Sequence, residues 1–259
     1  MADATATTDW TLELDQLCHF YGKQRETPSV KFPERHVFRP GEITVLVGES
    51  GSGKSTLLKM IGGLDFPRDG SVVVRWDICL DPNDQRDKAI TKRLPRRHDW
   101  LAHYRRHRVA FLFQDGGLLE EFSVLQNVML PLRYAEIPRS ERLKRCRDAL
   151  IRVGLGDKIE RQLHQLSGGE RHRVAMARTI AREAAIVVCD EPTAALDKEN
   201  ALLVRDILKD EAKRGACVFI ATHDARLMKP GFVDHTITVT EGAASLTSHR
   251  RKLSKRARR

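Results

Sequence analysis

The sequence predicts an α/β fold, a mainly parallel sheet flanked by helices, with an all-helical stretch inserted in its middle. Three observations lead there. Short β-branched apolar runs alternate with segments of helical period, the pattern of strands joined by crossover helices. One such run, Ile43–Val47, stops at a glycine-rich turn that passes directly into a helix. From Leu118 to Ile159 strand-like runs vanish and apolar residues recur at helical spacing.

The elements follow in chain order. Thr11–Leu17 alternates weakly and ends near the turn Tyr21-Gly22, which makes it a first strand. Pro40-Gly41 marks a second turn, and Ile43–Val47 reads as a buried strand. Ser55–Ile61 is a helix with Leu57, Leu58 and Ile61 on one side and Gly62-Gly63 at its end. The turn Asp69-Gly70 introduces a strand over Ser71–Val74, whereas Asp81 to Arg108, with Pro82 and Pro95, matches neither period. Val109–Phe113 is a strand ending at Gln114, and Pro131 and Pro138 break the helical stretch behind it. Arg142–Val153 is helical through Leu143, Cys146, Leu150 and Val153. Ser167-Gly168-Gly169 opens a helix with Val174, Ala177, Ile180 and Ala181 inward. Ile186–Cys189 and Cys217–Ala221 are buried strands on either side of an amphipathic helix, Asn200–Lys213. No internal repeat is present, so the unit occurs once.

Composition narrows the functional classes. At 259 residues the chain can bury a large core, and 41% hydrophobic with 31% charged residues is globular usage. No apolar run approaches the roughly 18–20 residues of a membrane span. Met1–Trp10 has no basic residue and no apolar stretch, so it is not expected to act as a secretory signal. Five scattered cysteines point to free thiols in a reducing, cytoplasmic setting. The net charge of +10 is concentrated: nine Lys or Arg stand between Arg86 and Arg108 against Asp87 and Asp99, and seven stand in His249–Arg259 with no acid. Solvated charge, anionic lipid and RNA are all open readings of such runs.

The sharpest motif is Gly48-Glu49-Ser50-Gly51-Ser52-Gly53-Lys54-Ser55-Thr56, which fits G-x-x-x-x-G-K-[ST] between a strand and a helix. A polyphosphate must be met by backbone N–H groups turned into one concavity, which calls for glycine where a Cβ would block the approach, and the helix N-terminus adds its field. In such a loop Lys54 reaches the β- and γ-phosphates of ATP and the Ser55 hydroxyl ligates Mg²⁺. The strand Ile186–Cys189 runs into Asp190-Glu191; a carboxylate there suits Mg²⁺, and the second acid is placed to activate water. Leu166-Ser167-Gly168-Gly169-Glu170 offers a hydroxyl and exposed N–H groups at another helix start, a second anion site.

This last segment is the signature sequence of ATP-binding cassettes, and with the phosphate loop the chain resembles the nucleotide-binding domain of an ABC transporter over roughly residues 10–245. The resemblance implies a RecA-like core, an N-terminal antiparallel β part and a helical subdomain at about 116–172, with 1–9 flexible and 246–259 a disordered basic tail. It implies that Tyr21 stacks on adenine (Phe20 competes), that Gln114 senses Mg²⁺ and the attacking water, that Glu191 is the general base, and that His223 contacts the γ-phosphate. Ala194-Ala195-Leu196-Asp197 resembles the loop that touches the opposite monomer, with Ala194 where Ser is commonest. Arg171 and His172 follow Glu170 where the family often has glutamine. Leu112–Asp115 and Phe122–Leu132 look most like the group serving lipoprotein release, macrolide export and cell division. The Gly70–Gln114 segment is longer and more basic than is usual in that group.

The resemblance thus implies an ATPase whose phosphate loop is completed by Ser167–Glu170 of a second copy or homologous cassette. It would sit at the cytoplasmic face of the membrane and drive a separate permease, with its basic tail able to meet anionic lipid. The rivals are a regulatory cassette acting on a membrane complex without transport, and a soluble cassette on nucleic acid or ribosomes. A single cassette without coiled coils or zinc modules speaks against nucleic acid.

Overall fold

The computed structural model describes residues 10–20, 28–76, 92–93, 98–135, 137–194 and 196–249. Its strands are β1 (Trp10–His19), β2 (Val30–Phe38), β3 (Ile43–Val47), β4 (Asp69–Trp76), β5 (Lys92–Arg93), β6 (Val109–Leu112), β7 (Ile186–Asp190), β8 (Cys217–Ala221), β9 (His235–Thr240) and β10 (Ala243–Ser248). They form one sheet in the order β5-β4-β1-β2-β10-β9-β3-β8-β7-β6. The half containing β1, β2 and β4 is antiparallel, while β9, β3, β8, β7 and β6 run parallel.

The parallel strands are apolar at nearly every position because both faces are covered. Val45, Val187, Val218 and Ile220 face one core cluster, and Leu46, Ile186, Val188 and Phe219 face the other. The first cluster is closed by α3 (Val124–Tyr134), α4 (Arg139–Arg152), α5 (Gly168–Ile180) and α6 (Lys198–Lys213). The second is closed by α1 (Lys54–Ile61) and α2 (His98–Arg108), the latter through Leu101 and Tyr104.

Several expectations change. The basic segment that matched neither period ends in α2, whose buried Leu101 and Tyr104 lie three apart; Tyr104 Oη donates to the Ile61 carbonyl at 3.0 Å and Arg105 to that of Gly63 at 2.6 Å, so the helix caps the end of α1. Pro131 does not break the helical stretch: α3 runs through it for three more residues. Near a helix end the missing N–H costs one bond, and Arg182 uses the Pro131 carbonyl at 3.1 Å. Pro138 does mark a boundary, as the residue preceding α4. A domain limit at residue 245 falls inside β10, which continues to Ser248 because Ala244 and Leu246 pack inward. The helical subdomain passes into the core along α5, so a limit at residue 172 divides a continuous helix.

Arg182 joins the two parts of the chain. Its guanidinium donates to the carbonyls of Pro131 (3.1 Å), Arg105 (3.3 Å), Val109 (3.4 Å) and Arg106. Burial lowers its pKa to about 10, and it remains charged at neutral pH.

Candidate nucleotide-binding and hydrolysis site

Four strands end at one level. In the parallel registers Leu46 lies opposite Ala221, Ala221 opposite Asp190, and Leu112 opposite Cys189. The residues beyond these ends, Gly48, Glu191, His223 and Gln114, therefore emerge at the carboxyl edge of the sheet, where open α/β sheets bind ligands. Gln114 stands two residues beyond β6, which stops at Leu112 instead of Phe113.

The phosphate loop folds closely on its neighbours. A Cβ at Gly48 (φ 153°) would meet the Val239 carbonyl oxygen at 2.2 Å, and one at Gly53 (φ 111°) that of Ser29 at 2.4 Å. A Cβ added at Gly51 (φ 78°) would meet nothing within 4 Å among the described residues, so this face of the loop is open. Lys54 Nζ lies across the loop and donates to the carbonyls of Gly48 (2.8 Å) and Glu49 (2.7 Å). Glu49, Ser50 and Ser55 are exposed, Thr56 is buried, and the buried Ser52 Oγ has no hydrogen-bond partner among the described residues. An open glycine face, an ammonium and an orphaned hydroxyl at a helix start suit a polyphosphate. The exposed Ser55 hydroxyl and the Asp190 carboxylate supply hard oxygen donors of the kind Mg²⁺ takes.

Glu191 has φ 50°, a left-handed conformation held by its N–H bond to the Ala221 carbonyl at 2.8 Å. Its carboxylate accepts from His223 Nδ1 at 3.0 Å and from Thr222 Oγ1 at 3.3 Å. The Glu191 side chain is 13% exposed and the His223 side chain 77%, so the ring reaches outward from a sheltered carboxylate. Behind them Asp224 accepts from Thr193 Oγ1 at 2.6 Å and from Arg226. Burial works to raise the Asp224 carboxyl, but those hydrogen bonds prevail and hold it at about 2.

The signature turn is a capping box. Ser167 Oγ accepts from Glu170 N at 3.3 Å, and the Glu170 carboxylate accepts from Ser167 N at 2.9 Å. Lys158 pairs with the same carboxylate, and this bond together with the Ser167 N–H holds it at about 2. The Glu170 carboxylate is thus occupied in fixing the turn, while a Cβ at Gly168 would meet nothing within 4 Å. A cleft of about 350 Å³ between Gln114, Asp115, Gly168 and His172 separates the turn from the end of β6. Tyr21 and Ala195 lie outside the described residues; Phe20, half-buried, follows β1. Lys158, Thr222 and Asp224 are not among the residues that the motifs single out. The Ser-x-x-Glu spacing at 167–170 is a readable cap signal, whereas Lys158 carries none.

The ABC transporter family model matches residues 36–194. The lipoprotein-releasing system ATP-binding protein LolD of Ehrlichia canis is 39% identical over 215 residues, 83% of this chain and 89% of that protein. The macrolide export ATP-binding/permease protein MacB of Salmonella choleraesuis is 37% identical over 215 residues, 82% of this chain and 31% of that protein. Among solved structures, the dimeric post-hydrolysis state of the cassette MJ0796 bound to ADP and Pi has TM-score 0.75 at 30% identity and covers 93% of this chain and 99% of that one. These likenesses show the family: the chain belongs to the ABC transporters, as an ATP-binding subunit.

Proposed function

We propose that the chain hydrolyses ATP in a site shared between two molecules, each contributing its phosphate loop (Gly48–Thr56) to one nucleotide and its Ser167–Glu170 turn to the other. The observation that carries this is the common level of Gly48, Asp190-Glu191, His223 and Gln114 at the sheet edge, with Glu191 oriented by His223 and Thr222. Glu191 accepts the proton of the attacking water, and His223 and Gln114 hold the water and γ-phosphate in line. Ser55, Asp190 and Gln114 would hold Mg²⁺, which when bound offsets the charge on the phosphate oxygens. Lys54 exchanges its two loop carbonyls for phosphate oxygens. Tyr21 stacks on the adenine.

An ABC ATP-binding subunit works with a membrane permease, and no helix among the described residues is long and apolar enough to cross a membrane. The permease contact is proposed at a groove of about 280 Å³ beside Gln114, where Phe113, Leu130, Tyr134 and Arg178 line the wall. Phe113 and Tyr134 are 38% and 64% exposed there, apolar surface that a partner would cover. The chain then lies on the cytoplasmic face of the membrane, in a system of the lipoprotein-release or macrolide-export kind. We propose further that its basic end from His249 onward meets anionic lipid, which liposome binding by a chain cut at 249, at low and high salt, would test.

Glu191→Gln tests the site. It should leave ATP binding intact, lower turnover by about a hundredfold or more, and trap an ATP-bound dimer visible in sizing chromatography. Turnover at the wild-type rate would remove Glu191 from the role of base.

A further inference from the structure

His172 lies on the first turns of α5, five residues after the Ser167 cap, and its ring is buried. Its Nε2 stands 2.6 Å from the carbonyl oxygen of Pro192, the residue next to Glu191. A carbonyl can only accept, so Nε2 carries a hydrogen. Burial pushes the pKa of this ring down, so in its neutral form the single proton resides on Nε2.

The segment that receives this bond carries the base. Glu191 N donates to Ala221, Thr193 Oγ1 to Asp224, and Ala194 N closes the turn onto the Glu191 carbonyl at 3.3 Å. Those ties run to β8, to the chain after it, or within the segment. The His172 bond comes instead from α5, the helix whose first residues belong to the signature turn. His172 also lines the cleft with Gln114 and Gly168. The turn also lies near the chain beyond Pro192, since a Cβ added at Gly169 would stand 3.8 Å from Leu196.

We infer that His172 is a positioning residue that ties a chain's signature turn to the segment bearing that chain's own base, so that engagement of the turn by one nucleotide sets Glu191 at the other. This rests on the two-molecule site proposed above. In that arrangement each chain's turn and base serve different nucleotides, and a link inside one chain is a link between sites. A helix shift of a fraction of an ångström at α5 is passed to Pro192 through one short bond and a rigid proline, next to a residue held in left-handed backbone. Misplacement of a reacting group by about 1 Å can cost roughly a hundredfold in rate.

The full-length chain is compared as wild type, His172→Leu and His172→Gln, measuring steady-state kcat for ATP and equilibrium ATP binding, with Glu191→Gln alongside. His172→Leu removes the donor at similar volume and should lower kcat about tenfold or more while nucleotide affinity stays within about twofold. His172→Gln keeps an N–H at comparable reach and should retain about half of kcat or more. Unchanged turnover in the leucine variant, or glutamine no better than leucine, would overturn the inference. Should the leucine variant not fold, the wild type decides: with ¹⁵N-histidine labelling, the ring N–H signal that His172→Gln lacks should shift when a non-hydrolysable ATP analogue closes the dimer, and a signal that stays in place refutes the link. Failure of the underlying reading looks different, as a Glu191→Gln protein that turns over normally or a wild type that never dimerises with ATP.

Discussion

Asn127 gives a worked test of how the segment after Gln114 is held. It is fully buried in α3 and reaches back to the connection before it. Its Oδ1 accepts from Leu119 N at 2.8 Å, and its Nδ2 donates to the carbonyls of Leu119 (3.0 Å), Phe122 (3.2 Å) and Ser123 (3.1 Å). Leucine has the same branching and number of side-chain heavy atoms, in a larger volume, and none of these bonds. The Leu119 and Ser123 carbonyls keep other donors, Phe122 N at 3.1 Å and Asn127 N at 3.0 Å. The Leu119 N–H and the Phe122 carbonyl lose the bonds described here. Two such groups at about 1–3 kcal/mol each, tempered by water near the partly exposed Leu119, put the cost of Asn127→Leu near 3 kcal/mol. For a chain of this size that is a fall of roughly 6–12 °C in Tm. Asn127→Asp sharpens the reasoning. A carboxylate could still accept from Leu119 N but would face three carbonyl oxygens, so its folded pKa would lie above the unfolded value of about 3.9. A raised carboxyl is most stabilising below the unfolded pKa and loses that contribution as pH rises, so the deficit against wild type should widen from pH 4 to pH 7. Urea unfolding at both pH values is the assay. A loss under about 1 kcal/mol for leucine, or a deficit for aspartate that narrows with rising pH, would refute the account.

Two further substitutions probe other joints. Lys158→Met releases Glu170, whose carboxyl is held at about 2 chiefly by that lysine. A depressed carboxyl stabilises above its unfolded pKa and loses that contribution as pH falls toward 2, so the variant's urea midpoint should fall less than the wild type's between about pH 5 and 2.5, and parallel profiles would dismiss the pair. In Gly62→Ala the new Cβ would stand 2.0 Å from Phe111 Cζ, forcing a ring that is stacked on Phe113 at 5.4 Å to turn. A loss of about 1–3 kcal/mol in urea unfolding is expected, recovered in part by Phe111→Leu, and a neutral result would mean the ring yields freely.

The catalytic half of the fold was legible because its strands are buried on both faces and so read as unbroken apolar runs ending in chemistry: Ile43–Val47 before the loop, Ile186–Cys189 before the acids, Cys217–Ala221 before His223. The antiparallel half was less legible. β2 carries Pro33, Glu34, Arg35 and His36 in its middle, and its burial alternates only at Val30 and Phe32 before exposed residues intervene. β9 does alternate, with His235, Ile237 and Val239 inward, but begins with a histidine that is buried against Glu42 at 3.2 Å. In α2 the inward residues Leu101 and Tyr104 are outnumbered by basic ones, and the bonds to Ile61, Gly63 and Arg182 that fix the helix depend on the folded chain. At the site, the residues assigned to ligand contact come from motif spacing, whereas their holders do not. Lys158 and Glu170 are twelve residues apart, and His172 and Pro192 twenty, so their pairing depends on the folded chain.

Arg182 has a consequence for how this chain can change. Its guanidinium recognises the insert ahead of β6 and the proline turn of α3 only through main-chain oxygens, which every residue type provides. A change of side chain there therefore removes no acceptor from Arg182, whatever it costs elsewhere, as at Arg105 with its bond to Gly63. A change in the number of residues between Arg105 and Val109 is a different matter, because it moves the oxygens themselves. Length, more than identity, is what the arginine constrains.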